Sequence, residues 1–139
     1  MARTRTFLIA GLTTIALAGA AFAGHDLEEP TTLIATEHVQ KLLQIGEDIK
    51  FIDLRAPEEF SKGRLPDAVS IPIEEFEKRW SEIPKHARVV LYCPCPQGDR
   101  DESFAFLWLR NEGYRNISFL DGGYTEWVKR GYPIQKGSP

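Results

Sequence analysis

The sequence predicts one α/β domain built on a mostly parallel five-stranded sheet flanked by helices. Three observations predict it. Short β-rich apolar runs alternate about five times with segments of helical spacing. Glycine or proline closes most of these segments. Arg88 to Tyr92 (Arg-Val-Val-Leu-Tyr) is the continuous apolar run expected of a central parallel strand buried on both faces.

The elements follow in order. Thr31 to Ile34 reads as a short strand, and Thr36 to Leu43 as a helix whose face carries His38, Val39, Leu42 and Leu43, stopped by Gly46. Lys50 to Leu54 is a second strand, followed by a helical turn at Pro57 to Phe60 and by Gly63. Ala68 to Ile71 is a third strand, closed by Pro72. Ile73, Phe76, Trp80 and Ile83 then mark one side of a helix ended by Pro84. After the strand Arg88 to Tyr92 and a Cys-Pro-Cys-Pro loop, Phe104, Leu107 and Trp108 give a helix up to Gly113. Ile117 to Leu120 is the last strand, and Tyr124 to Arg130 a helix ending at Gly131. The tail from Gln135 to Pro139 reads as loose. Trp80, Trp108 and Trp127 fall where core aromatics are expected.

The 139 residues, 42% hydrophobic and 27% charged, suit one globular domain. The first 23 differ from the rest: Arg3 and Arg5 precede an uncharged run from Thr6 to Ala23 that ends in Ala21-Phe22-Ala23, the small-x-small pattern of a signal-peptidase site. The expected organisation is a signal peptide at 1–23, a linker at 24–30, the domain at 31–135 and a tail at 136–139. Cleavage after Ala23 would deliver the protein to the periplasm or the exterior. The run is Gly-, Ala- and Thr-rich and barely reaches the length of about 20 apolar residues that spanning needs, so no stable membrane anchor is expected.

The whole chain carries a net charge of −3, and loss of Arg3 and Arg5 would leave −5. No basic cluster is present, which excludes phosphate-backbone recognition, so no nucleic-acid partner is expected. The histidines His25, His38 and His86 share no ligand spacing with the cysteines, and neither a metal nor another cofactor is expected. Asn116-Ile117-Ser118 matches a glycosylation sequon but opens a strand, and is discounted.

Chemistry converges on the segment Cys93 to Arg100. Both cysteines, Cys93 and Cys95, lie in it, two positions apart, too close for a conventional disulfide framework. A thiol at a strand end, before a loop that leads into a helix, meets backbone N–H groups and the positive end of the helix dipole. Arg100 adds a cation. All three favour a thiolate nucleophile. Against them stand Asp99, Asp101 and Glu102, which oppose a thiolate, although Asp99-x-x-Glu102 is also spaced as a capping box.

The segment Asp53-x-Arg55-x-x-x-Glu59-Phe60-x-x-Gly63-Arg64-Leu65-Pro66-Asp67-Ala68-Val69-x-Ile71-Pro72 resembles the first signature of the rhodanese family. Leu120-Asp121-Gly122-Gly123-x-x-x-Trp127-x-x-x-Gly131-x-Pro133 resembles its closing signature. The resemblance implies a compact α/β domain whose loop cysteine takes sulfane sulfur from a small-molecule donor such as thiosulfate. A thiol or protein acceptor then takes it from the cysteine persulfide, with no cofactor. By position it implies Cys93 or Cys95 as nucleophile, Arg100 as the loop arginine, and Gln97, Gly98 and Asp99 as the loop around the anionic sulfur. Asp53 and Arg55 would support that loop, the aspartate bonded to loop amides and the arginine paired or lining the mouth.

The loop departs from the family pattern. Counted from the strand, the nucleophile is Cys93, but six residues then precede Arg100 where four are usual. Counted from the loop, Cys95-Pro96-Gln97-Gly98-Asp99-Arg100 has the usual Cys-x-x-Gly-x-Arg spacing. The strand edge is the firmer landmark and favours Cys93; the choice stays open. Two other functions remain in view: a rhodanese-fold binding or sulfur-carrier module without turnover, and thiol–disulfide exchange by the Cys-Pro-Cys pair. Phosphatase-like chemistry is a weaker third. A monomer or homodimer is expected.

Overall fold

A computed structural model describes residues 33–93 and 100–137. Its sheet runs β1-β5-β4-β2-β3, from β1 (Leu33–Ile34) and β2 (Ile49–Asp53) through β3 (Val69–Ser70), β4 (Arg88–Tyr92) and β5 (Ile117–Leu120) in chain order. Every pair of neighbours is parallel. The longest ladder joins β2 to β4, from Ile49 opposite Arg88 to Asp53 opposite Tyr92. Because β4 is the middle strand, its end lies where the chain leaves the centre of the sheet. This is the edge at which parallel α/β sheets place their ligands.

Alternation along the strands divides the core in two. Val89 and Leu91 of β4, Ile52 of β2 and Ile117 and Phe119 of β5 face one layer, with Phe76, Ala105, Phe106 and Leu109. Val90 and Tyr92, Ile49 and Phe51, and Leu120 face the other, with Val39, Leu65 and Trp127. The helices α1 (Thr36–Gln44) and α5 (Gly123–Lys129) cover the second layer, and α4 (Arg100–Asn111) the first. The short α2 (Pro57–Lys62) starts with proline at its first position, where the ring costs no hydrogen bond. Trp127 is fully buried, with its indole N–H donated to the Pro133 carbonyl at 2.8 Å. Trp80 and Trp108 are only partly buried against the first layer.

The structure differs from the sequence expectation in two places. Residues 73–82 form a 3₁₀ turn (Ile73–Glu75), one turn of α-helix, α3 (Phe76–Arg79), and a second 3₁₀ turn (Trp80–Glu82), not one regular helix. So short a segment has little helical stability of its own, and outside bonds fix both its ends. The Ile73 N–H donates to the Leu54 carbonyl at 3.2 Å, and the Tyr114 hydroxyl donates to the Ile83 carbonyl at 2.6 Å. Residues 135–137 are also held where a loose tail was expected from Gln135 onward. Arg64 and Gln135 exchange two backbone hydrogen bonds of 2.9 Å, the Gly137 N–H donates to the Ser61 carbonyl, and the Arg64 guanidinium donates to the Gly137 carbonyl at 2.6 Å. Among the described residues no helix is long and apolar enough to cross a membrane.

Candidate active site

Cys93 is the first residue beyond β4 and is buried, 6% exposed. Both carbonyls beside it are tied to neighbouring elements. The Tyr92 carbonyl accepts the Leu54 N–H at 3.0 Å from the end of β2, and the Cys93 carbonyl accepts the Tyr124 N–H at 3.1 Å from the first turn of α5. Three segments distant in sequence therefore meet at the backbone of this residue.

Under them lies a buried polar cluster on the α1/α5 side of the sheet. Asp53, the last residue of β2, is fully buried, and Arg55 is 4% exposed. The Arg55 backbone N–H donates to Asp53 Oδ1 at 3.0 Å. Its side chain donates from Nε to Oδ1 at 2.9 Å and Oδ2 at 3.2 Å, and from Nη2 to Oδ2 at 2.6 Å. Nη2 also donates to the Gly63 carbonyl at 2.6 Å. Among the described residues the carboxylate is held by the Arg55 side chain, the Arg55 backbone N–H and the Tyr92 hydroxyl. Burial works against the Arg55 charge, but the hydrogen bonds and charge of Asp53 outweigh it, and its pKa is raised.

Arg55 also lies against two aromatic faces, its guanidinium carbon 3.9 Å from the Tyr124 ring centroid and 5.6 Å from that of Tyr92. The two rings lie nearly parallel, 23° apart, with centroids separated by 6.5 Å. Burial first, and then the Asp53 carboxylate, push the Tyr92 phenol well above its ordinary range; its oxygen accepts the Leu65 N–H at 3.3 Å. Tyr124 lies tight against Gly63, where a Cβ would collide with the Tyr124 hydroxyl. The turn before α5 places Gly122 at φ 71, the left-handed conformation that glycine adopts without strain.

The sequence-derived site is only partly in view. Cys93, Asp53 and Arg55 come together as described. The backbone of Arg100 opens α4. Cys95, Gln97, Gly98 and Asp99, with the expected cap at Asp99, lie outside the described residues. Sequence reasoning missed Tyr92 and Tyr124 as members of the site. The available signals were an aromatic residue directly before the strand-end cysteine and another directly after Gly122-Gly123. Among the described residues no group of three or more histidine, cysteine or acidic side chains is placed to hold a metal.

This arrangement meets its relatives in comparisons with known proteins. The family model of the rhodanese-like domain matches residues 35–130, from the start of α1 to the end of α5. The chain belongs to the rhodanese-like domain family. A sulfurtransferase of Allochromatium vinosum is 37% identical over 101 residues, covering 73% of this chain and 92% of that protein. A putative sulfur carrier protein of Bacillus subtilis is 27% identical, covering 75% of this chain and 56% of its own length. The crystal structure of a rhodanese-related protein from Thermoplasma volcanium superposes with a TM-score of 0.65 at 22% identity, over 75% of this chain and 97% of that one, a likeness of fold. At the level of the family these relatives support sulfur transfer, and the rhodanese-like fold accounts for the all-parallel sheet and the thiol at the end of its middle strand.

Proposed function

We propose that this protein is an exported single-domain sulfurtransferase that carries sulfane sulfur on a cysteine of the segment 93–100, with Cys93 the favoured nucleophile. The observation that carries the reading is Cys93 itself: a buried thiol at the carboxyl edge of the middle strand, held through both flanking carbonyls. Export rests on the leader-like residues 1–23.

With thiosulfate as donor, the cysteine thiolate attacks the outer, sulfane sulfur. A new S–S bond forms, the original S–S bond breaks, and sulfite leaves with the bonding pair. An acceptor thiolate then attacks the outer sulfur of the persulfide, and the cysteine thiolate departs. The two halves balance without an external oxidant or reductant. In this mechanism the loop amides and Arg100 stabilise the anionic sulfur, while the Asp53–Arg55 pair keeps the end of β2 in register with the thiol.

The test is intact-protein mass spectrometry of reduced mature protein after thiosulfate, for wild type, Cys93→Ser and Cys95→Ser. The expected result is a gain of one sulfur atom that Cys93→Ser abolishes and Cys95→Ser retains. The converse pattern would move the nucleophile to Cys95. Folded wild type that gains no sulfur would replace enzymatic transfer by a binding module or by thiol–disulfide exchange through the Cys-Pro-Cys pair.

A further inference from the structure

We propose that Tyr124 is a positioning residue for Cys93, locked in place by the missing side chain of Gly63 and by the guanidinium of Arg55; this rests on Cys93 as the reacting thiol. The first N–H groups of a helix have no carbonyl to bind within it. Tyr124, second residue of α5, spends that spare donor on the Cys93 carbonyl. The backbone position of Cys93 therefore follows the position of Tyr124.

The ring of Tyr124 is held on three sides. Arg55 lies 3.9 Å from its centroid, Tyr92 stacks beside it, and Gly63 receives its hydroxyl end. Arg55 is itself fixed by the buried Asp53 and by the Gly63 carbonyl. Gly63 has φ 169, extended backbone that any residue adopts, so the absence of a side chain there is a matter of space and not of backbone freedom. The space matters because Tyr124 fills it: a Cβ would collide with the hydroxyl and approach the ring carbon beside it at 3.4 Å. A small displacement of the ring would carry the Tyr124 N–H, and with it Cys93, away from the attacking position. Misplacements of about 1 Å can cost roughly a hundredfold in rate.

The experiment uses the full mature chain and two readouts: the rate at which thiosulfate adds sulfur, and the rate at which iodoacetamide alkylates Cys93 as a function of pH, resolved by peptide mass spectrometry. Gly63→Ala changes no residue of the segment 93–100, yet is expected to slow both rates about tenfold or more. Gly63→Ala/Tyr124→Phe, in which the colliding hydroxyl is gone, is expected to return to the rates of Tyr124→Phe alone. Should Gly63→Ala fail to fold, Tyr124→Leu replaces it; removing the ring is then expected to lower kcat about tenfold with KM for thiosulfate unchanged.

Rates in Gly63→Ala that stay within roughly twofold of wild type while its stability falls would overturn the proposal and leave Tyr124 a packing residue. So would a double variant no faster than Gly63→Ala, or a wild-type Cys93 that resists alkylation. Wild type that alkylates at Cys93 but never gains sulfur would instead sink the sulfurtransferase reading, with the alkylation rates still reporting on position.

Discussion

Replacing Arg55 by methionine tests whether the polar cluster beneath Cys93 carries the end of β2. The wild-type side chain is 2% exposed and its Asp53 partner wholly buried, so solvent screens neither charge. Methionine keeps an apolar stem but no guanidinium, and so removes four hydrogen bonds, three to Asp53 and one to the Gly63 carbonyl, together with the contacts to the Tyr92 and Tyr124 rings. What remains is a buried carboxylate that keeps the backbone N–H of residue 55 and the Tyr92 hydroxyl but has lost the cation that balanced its charge. Removing one member of a buried pair costs about 3–5 kcal/mol, because the other charge stays desolvated without compensation. For a domain of this size that corresponds to a fall in Tm of roughly 12–20 °C. Urea unfolding followed by tryptophan fluorescence, with thermal unfolding by circular dichroism, measures both. The neutral combination Asp53→Asn/Arg55→Met keeps an oxygen for the Arg55 N–H and is expected to recover at least about 1 kcal/mol over the single variant. A single-variant loss below about 1 kcal/mol, the value of an exposed pair, or a double variant no more stable than the single, would refute the reasoning.

Two further outcomes are expected. Because burial and Asp53 raise the folded-state pKa of Tyr92, its contribution to stability is fully present below the unfolded value of about 10 and is lost as pH rises above it, by up to about 1.4 kcal/mol per pH unit. Urea unfolding from about pH 9 to about pH 11.5 should therefore show a steeper loss in wild type than in Tyr92→Phe, and equal slopes would sink the argument. Gly122→Ala places a side chain at φ 71 and against the Glu126 Cβ, so unfolding is expected about 2 kcal/mol or more easier; a loss under about 0.5 kcal/mol would show that the turn relaxes freely.

The order and spacing of the elements were legible in the sequence because each rests on local rules. Val-Val-Leu-Tyr declared a buried strand, Pro57 opened a helix, and Gly46, Gly113 and Gly131 followed helix ends. The two signatures carried the family, and the strand edge placed Cys93 at the end of the middle strand. The sequence could not rank neighbours across the sheet. That β4 lies between β2 and β5, and so brings Leu54, Cys93 and Tyr124 together, depends on pairings between residues far apart in the chain. The broken helix at 73–82 has the same origin: its apolar spacing suited a helix, and the bonds from Leu54 and Tyr114 that decide its path come from elsewhere.

The candidate site divides in the same way. Residue identity named the thiols and Arg100, since few side chains can act as nucleophile or steady an anion, and the family resemblance named the Asp53-x-Arg55 pair. Tertiary structure alone decided that Asp53 spends its carboxylate on Arg55, that Arg55 lies against two tyrosine rings, and that Gly63 is small because Tyr124 occupies the space a side chain would need. A sequence records chemical capacity one residue at a time. Desolvation, ring contact and steric exclusion arise only when segments distant along the chain are packed together.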